Sequence, residues 1–239
     1  MNKLREDFNA INIYILILKI RNFLKMESTL KRTRINAIIN WWFGEGVDLD
    51  QPAPNDSFKR WYGGGPEVDA FIQSNFGPDL EKLVSGEYDW WKTDKEGLVA
   101  CIILTDQFTR NIFRKKNGAF QYDHLAREFS ASITTSKENF LSYKFQMLNF
   151  IVLPYEHSES LEDQQKALDL SDMIVEYAKT RPDTSEDIVK QSEAVRTFAK
   201  KHFDIIEKWG RFPHRNEVIG RLNTPEEEEY LKYADRFGQ

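Results

Sequence analysis

The stretch from Asp94 to Phe113 constrains the fold more than any other in the chain. Leu98, Val99, Ile102, Ile103, Leu104, Phe108 and Ile112 cover nearly the whole circumference of a helix laid through it. A helix that is apolar all round must be buried, so this one is expected at the centre of a packed domain. Thr93 and Glu96 fit a capping box, which starts the helix at Asp94. Yet Asp106, Gln107, Arg110 and Asn111 lie inside it, with Arg114 just beyond. Asp106 and Arg110 are four residues apart and so share one face. Charge is expensive to bury unpaired. Either the two form a self-satisfied ion pair that locks the core, or they are a prepositioned grip for an anion or amide, to which Gln107, Asn111 and Arg114 add donors.

The rest of the chain repeats the helical period and offers no alternating strand. A helix from Ser28 carries Ile35, Ile38, Ile39 and Trp42 and stops at Gly44-Glu45-Gly46. Residues 45–66 are rich in proline and glycine and form a long loop anchored by Trp61 and Tyr62. Helices are expected over 66–76, over a short piece of 79–91, over 119–133 and over 137–153, the last ended by Pro154. Ser160 caps a helix to about Lys179, broken at Arg181-Pro182. Thr184 or Ser185 caps the next, whose stripe runs Ile188, Val195, Phe198, His202, Ile205, Trp209. Thr224-Pro225-Glu226-Glu227 is a capping box that opens a helix to about Phe237. The expected fold is all-α, of about eight to ten helices in a single domain over residues 26–239, with no internal repeat.

Residues 1–25 stand apart. Ile11 to Ile20 is apolar except for Asn12 and Lys19, which is too short for a membrane span. No small-residue cleavage site follows it, and Met26 opens a second plausible start. Three readings stay open for this extension: an alternative upstream start, an extra docking helix, or a targeting segment. The lone Cys101 cannot form an internal disulfide and sits in an apolar run, so a core role and a cytoplasmic setting are expected. A net charge of −5 gives no general reason to expect nucleic acid.

Charge is uneven along the chain. Residues 196–221 hold seven Lys or Arg against three acids, and residues 156–172 hold six acids against one Lys. Two helix faces that pair would explain much of that asymmetry. It does not explain Trp209 to Arg221, where Arg211, His214, Arg215 and Asn216 crowd around Pro213 between the aromatic anchors Trp209 and Phe212. A C-cap and turn would need no such set, and arginine suits a bidentate grip on carboxylate or phosphate. A third polar group is Pro154 to Glu159. There His157 and Glu159 suit a base and its orienting acid, or alternatively serve a helix terminus. His202 lies on an apolar stripe and reads as a hydrogen-bonded core histidine; Asp204, two residues on, points elsewhere on the helix.

Several sites are disfavoured. No HExxH, cysteine pair or Asp-rich loop suggests a metal, and no GxSxG suggests a serine nucleophile elbow. The GGGP run at 63–66 lacks both the Lys-Ser/Thr and the preceding strand of a phosphate loop.

These motifs together resemble the family catalogued as domain of unknown function 924. The matching strings are WWFG (41–44), KRWYGGG (59–65), the approach to the buried helix from Trp91 to Gly97, LTDQFTRNIFR (104–114), FIVLPYEHSESLEDQ (150–164), HFDII (202–206), WGRFPHRNEVIGR (209–221) and TPEEEEYL (224–231), in that order. The resemblance leaves out residues 1–25. This chain departs from the family pattern at Thr105 and Thr109, where the family has Leu and Pro, and at Trp209, where it has Phe. The resemblance implies a tetratricopeptide-like helical fold whose concave surface the polar motifs would line, and it brings no activity or cofactor with it.

The residues themselves suggest a cationic, amide-rich pocket for a small anionic ligand or a peptide carboxylate. Asp106, Gln107, Arg110, Asn111, Arg211, Arg215 and Asn216 would form it, with His157, His214 and Glu159 as the candidate acid–base groups. The alternative is a non-catalytic peptide-binding scaffold in which the same residues brace the fold.

Overall fold

A computed structural model describes Lys19 and residues 32–234. Packing divides the chain into two compact units, Met1–Ala37 and Ile38–Gln239. The readings of residues 1–25 and of a helix start at Ser28 therefore lie outside the described residues, Lys19 apart. Among the described residues every regular element is helical, so the chain is all-α.

Helix α1 covers 32–43, and from Ile38 on it belongs to the larger unit. Its Trp42 and Phe43 are buried edge-on against Phe150, at ring separations of 5.4 and 5.3 Å. Trp42 also meets Phe108 at 5.5 Å. Short helix α2 (Asn55–Phe58) and a π turn at Lys59–Gly63 replace part of the expected loop. That turn is tied to α1 by Trp61 Nε1–H and Arg60 Nε–H, which donate to the Trp42 carbonyl at 2.8 and 3.2 Å. The WWFG and KRWYGGG strings are thus two halves of one joint.

Helix α3 (Pro66–Val84) is continuous where two helices were expected. Pro78 removes one backbone hydrogen bond, but Ile72, Phe76, Leu80 and Leu83 bury one unbroken stripe across it. A 3-10 turn at Asp89–Thr93 stacks Trp91 on Tyr88 at 4.2 Å. Asp94, not Thr93, then caps α4 (Lys95–Ile102), accepting the Gly97 N–H at 2.9 Å. Thr93 turns back instead and donates to the Trp90 carbonyl. Gly97 is required there, because a Cβ would lie 2.4 Å from the Trp91 carbonyl oxygen.

The central helix does not stay α-helical. After Ile102 it widens into a π turn, Ile103–Phe108, before α5 (Thr109–Ile112). Thr105 and Thr109, two of the departures from the family pattern, donate their hydroxyls to the carbonyls of Cys101 (2.7 Å) and Thr105 (2.9 Å). Such back-bonding satisfies carbonyls where the regular ladder is disturbed. The Cys101 thiol is fully buried and burial pushes it up to about 12, as suits a core filler.

A 3-10 turn at Asn117–Phe120 leads to α6 (Asp123–Ile133), and α7 (Lys137–Leu141) is separated from α8 (Phe145–Glu156). The helix expected over 137–153 is therefore broken at 142–144, and α8 runs through Pro154 to Glu156. Pro154 is itself buried with Ile151, Val152 and Tyr155, and that packing outweighs one lost hydrogen bond. Helices α9 (Leu161–Thr180) and α10 (Glu186–Trp209) carry the expected caps, Ser160 and Ser185. Charges pair between these two helices, Lys179 with Glu193 at 2.7 Å and Arg196 with Asp172 at 2.9 Å, and the second pair joins the acidic stretch to the basic one. Short α11 (Asn216–Ile219) and the boxed α12 (Pro225–Leu231) follow; α12 ends at Leu231, short of the expected Phe237.

Candidate functional site

The π turn places Asp106, which is 0 % exposed, against the C-terminal end of α8, where His157 Nδ1 lies 2.7 Å from Asp106 Oδ1. Arg110 sits one turn on, 3.1 Å from the same oxygen, and Gln107 donates to Asp106 Oδ2. Arg110 also reaches the first residue of α6: its Nη1 and Nη2 donate to the two Asp123 oxygens at 3.1 and 3.2 Å. Such a paired-fork contact is the strong form of an arginine–carboxylate bond.

From the other side comes the turn after α10. Gly210, at φ 65°, ends that helix in the left-handed region that favours glycine. Phe212 is then buried with Ile205 and Ile206, and Trp209 packs beside it. This anchor holds the 3-10 turn Pro213–Arg215. Arg215 is 7 % exposed, and its guanidinium lies 4.5 Å from the rings of both Phe120 and Phe212. It meets Asp123 Oδ2 at 3.6 Å, too far for a hydrogen bond. Its buried Nε has no hydrogen-bond partner among the described residues. The His202 ring stands between, 5.9 Å from that of His157 and 5.7 Å from that of Phe212.

Proton positions follow from these contacts. Burial would raise Asp106, but Arg110 and His157 outweigh it and hold it well below the usual carboxylate range. Burial and then Arg110 push His157 down to about 4, so its imidazole is neutral at pH 7. A neutral imidazole facing a carboxylate through Nδ1 carries its proton there, which leaves the Nε2 lone pair available to accept a proton. His214 is driven to about 3 by burial and Arg215, and Arg215 is lowered to about 10 by burial and Arg110. The site therefore combines a neutral imidazole bound to an aspartate with a buried cation.

Three sequence segments converge here, with Asp106, Gln107 and Arg110 from the first, His157 from the second, and His214 and Arg215 from the third. Four of the expected residues serve elsewhere. Asn111 turns away and donates to Asp69 at 2.8 Å, beside the Arg114–Asp69 pair. Arg211 forms a two-point pair with Glu227 at 2.7 Å, and Asn216 donates to Asn223 and Glu227; both fasten α12. Glu159 does not orient His157. It accepts from Arg221 at 2.6 and 2.7 Å and from the Phe212 N–H at 2.9 Å, so it holds the turn in place. Arg221 and Phe212 outweigh the effect of burial and lower its pKa.

Sequence reasoning misses Asp123, Phe120 and Glu156. Asp123 looks like an ordinary first-turn acid, and only the structure shows that it lies between two arginines. Glu156 lies in the polar group Pro154 to Glu159, of which only His157 and Glu159 suggest acid–base roles, yet it is 1 % exposed. His202 is buried as its stripe suggests, with Nδ1 2.9 Å from the Phe198 carbonyl. Among the described residues, no group of three or more His, Cys, Asp or Glu is placed to hold a metal, and no helix is long and apolar enough to cross a membrane.

The solved structure of a protein of unknown function from Agrobacterium tumefaciens, ATU0120, is similar, with a TM-score of 0.66 and 28 % identity. The match covers 84 % of this chain and 97 % of that one. No curated protein matches the chain. The sequence profile of the bacterial proteins of unknown function named DUF924 matches residues 38–235, and the chain belongs to that family.

Proposed function

We propose that this protein binds a small oxyanion, a carboxylate or phosphate, at Arg215, and that His157 acts beside it as a general base in hydrolase or transferase chemistry. One observation carries the reading: a buried guanidinium, held between two phenyl faces, keeps a hydrogen-bond donor unused in the same cluster as an aspartate-oriented imidazole. An unfilled buried donor costs about 1–3 kcal/mol, which a ligand oxygen would recover. Arg110 is engaged by two carboxylates, so it positions Asp106 rather than gripping the ligand. His157 Nε2 would take a proton from water or a hydroxyl, and Asp106 would stabilise the resulting imidazolium. Cytoplasmic operation is part of the same reading.

The rival scaffold reading has one observation in its favour. An open cleft of about 440 Å³ is lined by Trp41, Lys59, Arg60 and Phe71, and Phe71 is exposed. It lacks the oriented base, and the Arg60 side chain there is already committed to the Trp42 carbonyl.

Calorimetric titration with sulfate at pH 7 tests the proposal. Arg215→Met should weaken binding about 10–100-fold, the loss expected for a charged hydrogen-bond donor. Its denaturant midpoint should move less than that of Arg110→Met, because Arg215 gives up an ion contact at 3.6 Å and two ring contacts at 4.5 Å, which methionine partly refills. Equal sulfate affinity in the two proteins would overturn the reading.

A further inference from the structure

Glu156 occupies a place that disfavours a carboxylate in four ways. It is 1 % exposed, and neither side-chain oxygen has a hydrogen-bond partner among the described residues. It lies in the last turn of α8, where the helix dipole is unfavourable to negative charge. Asp106, also buried, is near enough to repel it. Its backbone, by contrast, is firmly held: the Gln164 side chain donates to the carbonyls of Tyr155, Glu156 and Ser158. Leucine would fill such a position without these costs. Buried polar groups left without partners call for a specific reason.

The surroundings supply one. Glu156 Oε2 is 3.4 Å from His202 Nδ1, and the His202 ring lies between the rings of His157 and Phe212. The carboxyl thus borders the Asp106–His157–His202 part of the cluster, to which Arg215 is joined through Phe212. We infer that Glu156 is a further ligand-contacting residue of this site, which as a carboxylic acid donates a hydrogen bond to an oxygen of the bound anion. The inference rests on the anion-site reading and adds to it that the ligand is an oxyacid taken up together with one proton.

The titrating groups around Glu156 allow this to be measured. Burial and then Asp106 push Glu156 up to about 8. Facing it is Asp106 from the π turn, with Arg110 of α5 and Asp123 of α6 one and two contacts further on. His157 follows on α8, His202 stands on α10, and His214 and Arg215 lie in the turn beyond. Tyr62 approaches from the turn after α2, with its hydroxyl at Asn149. Between pH 7 and 9 His157 and His214 stay neutral and Arg215 stays charged, given values of about 4, 3 and 10. Asp106 lies far below this window, and a tyrosine hydroxyl such as that of Tyr62 titrates above it.

Sulfate, which does not titrate in this window, is the probe, with the full chain in two buffers of different ionisation heat. Wild-type affinity should fall about tenfold from pH 7 to pH 9 as Glu156 ionises, with about half a proton taken up per sulfate at pH 8. In Glu156→Gln that pH dependence should shrink below about twofold and the proton uptake should vanish. Should the variant not fold, the proton uptake of the wild type alone decides. Sulfate binding that depends on Arg215 yet is flat with pH, with no proton uptake, overturns the role of Glu156 and leaves the anion site standing. Absence of sulfate binding in the wild type at every pH overturns both.

Discussion

Arg110→Met should lose about 3–5 kcal/mol of stability in denaturant unfolding, the range for breaking a buried ion pair from one side. Arg110 is 8 % exposed and stands between Asp106, at 3.1 Å, and Asp123, which it grips at 3.1 and 3.2 Å. Methionine fills the space of the side chain but leaves two buried carboxylates facing each other without that cation. Burial and repulsion would then raise the pKa of one of them until it takes up a proton. The variant should therefore be less destabilised at pH 5 than at pH 8. A near-neutral change at both pH values would mean that Arg110 is not the keystone of the cluster.

Asp123→Ala should destabilise to a similar degree, about 3–5 kcal/mol, for the opposite reason. It strands cations: Arg110 loses its two-point partner and Arg215 its contact at 3.6 Å. A small anion would occupy the vacated position, so sulfate should bind this variant more tightly than wild type. Sulfate at a hundred times its dissociation constant should restore about 2.7 kcal/mol. No such rescue is expected for Arg110→Met beyond what sulfate gives the wild type. Unfolding curves with sulfate and with an equal ionic strength of chloride separate the two cases. If sulfate stabilises Asp123→Ala no more than wild type, Asp123 is not shielding an anion site.

Most of the helical plan is legible in the sequence because the deciding signals are local. Ser160, Ser185 and the Thr224–Glu227 box each act within four residues, and each caps the helix expected of it. The breaks are harder to place. Pro78 and Pro154 lie inside helices because buried stripes on either side outweigh one missing hydrogen bond, and burial depends on partners distant in the chain. The π turn at Ile103–Phe108 leaves no mark in an apolar run, yet it sets where Asp106 points.

Site residues divide along the same line. Asp106 and Arg110 are legible as a pair because their spacing fixes them on one helix face. Proximity in the chain groups Asn111 with them, but it is about 100° further round the helix and meets Asp69 instead. Proximity likewise groups Arg211 and Asn216 with Arg215, and they fasten α12 through Glu227. Asp123 escapes notice because the need for a second counter-charge becomes apparent only when two arginines meet in space.

A crystal of the full chain soaked in selenate, read by anomalous scattering at the selenium edge, tests the central claim most directly. The expected result is a peak within hydrogen-bond distance of the Arg215 guanidinium, about 2.7–3.2 Å from its nitrogens to the nearest selenate oxygen, and on the side shared with His157. Selenate found only at exposed lysines or in the cleft lined by Lys59 and Arg60, with nothing at Arg215, would contradict it.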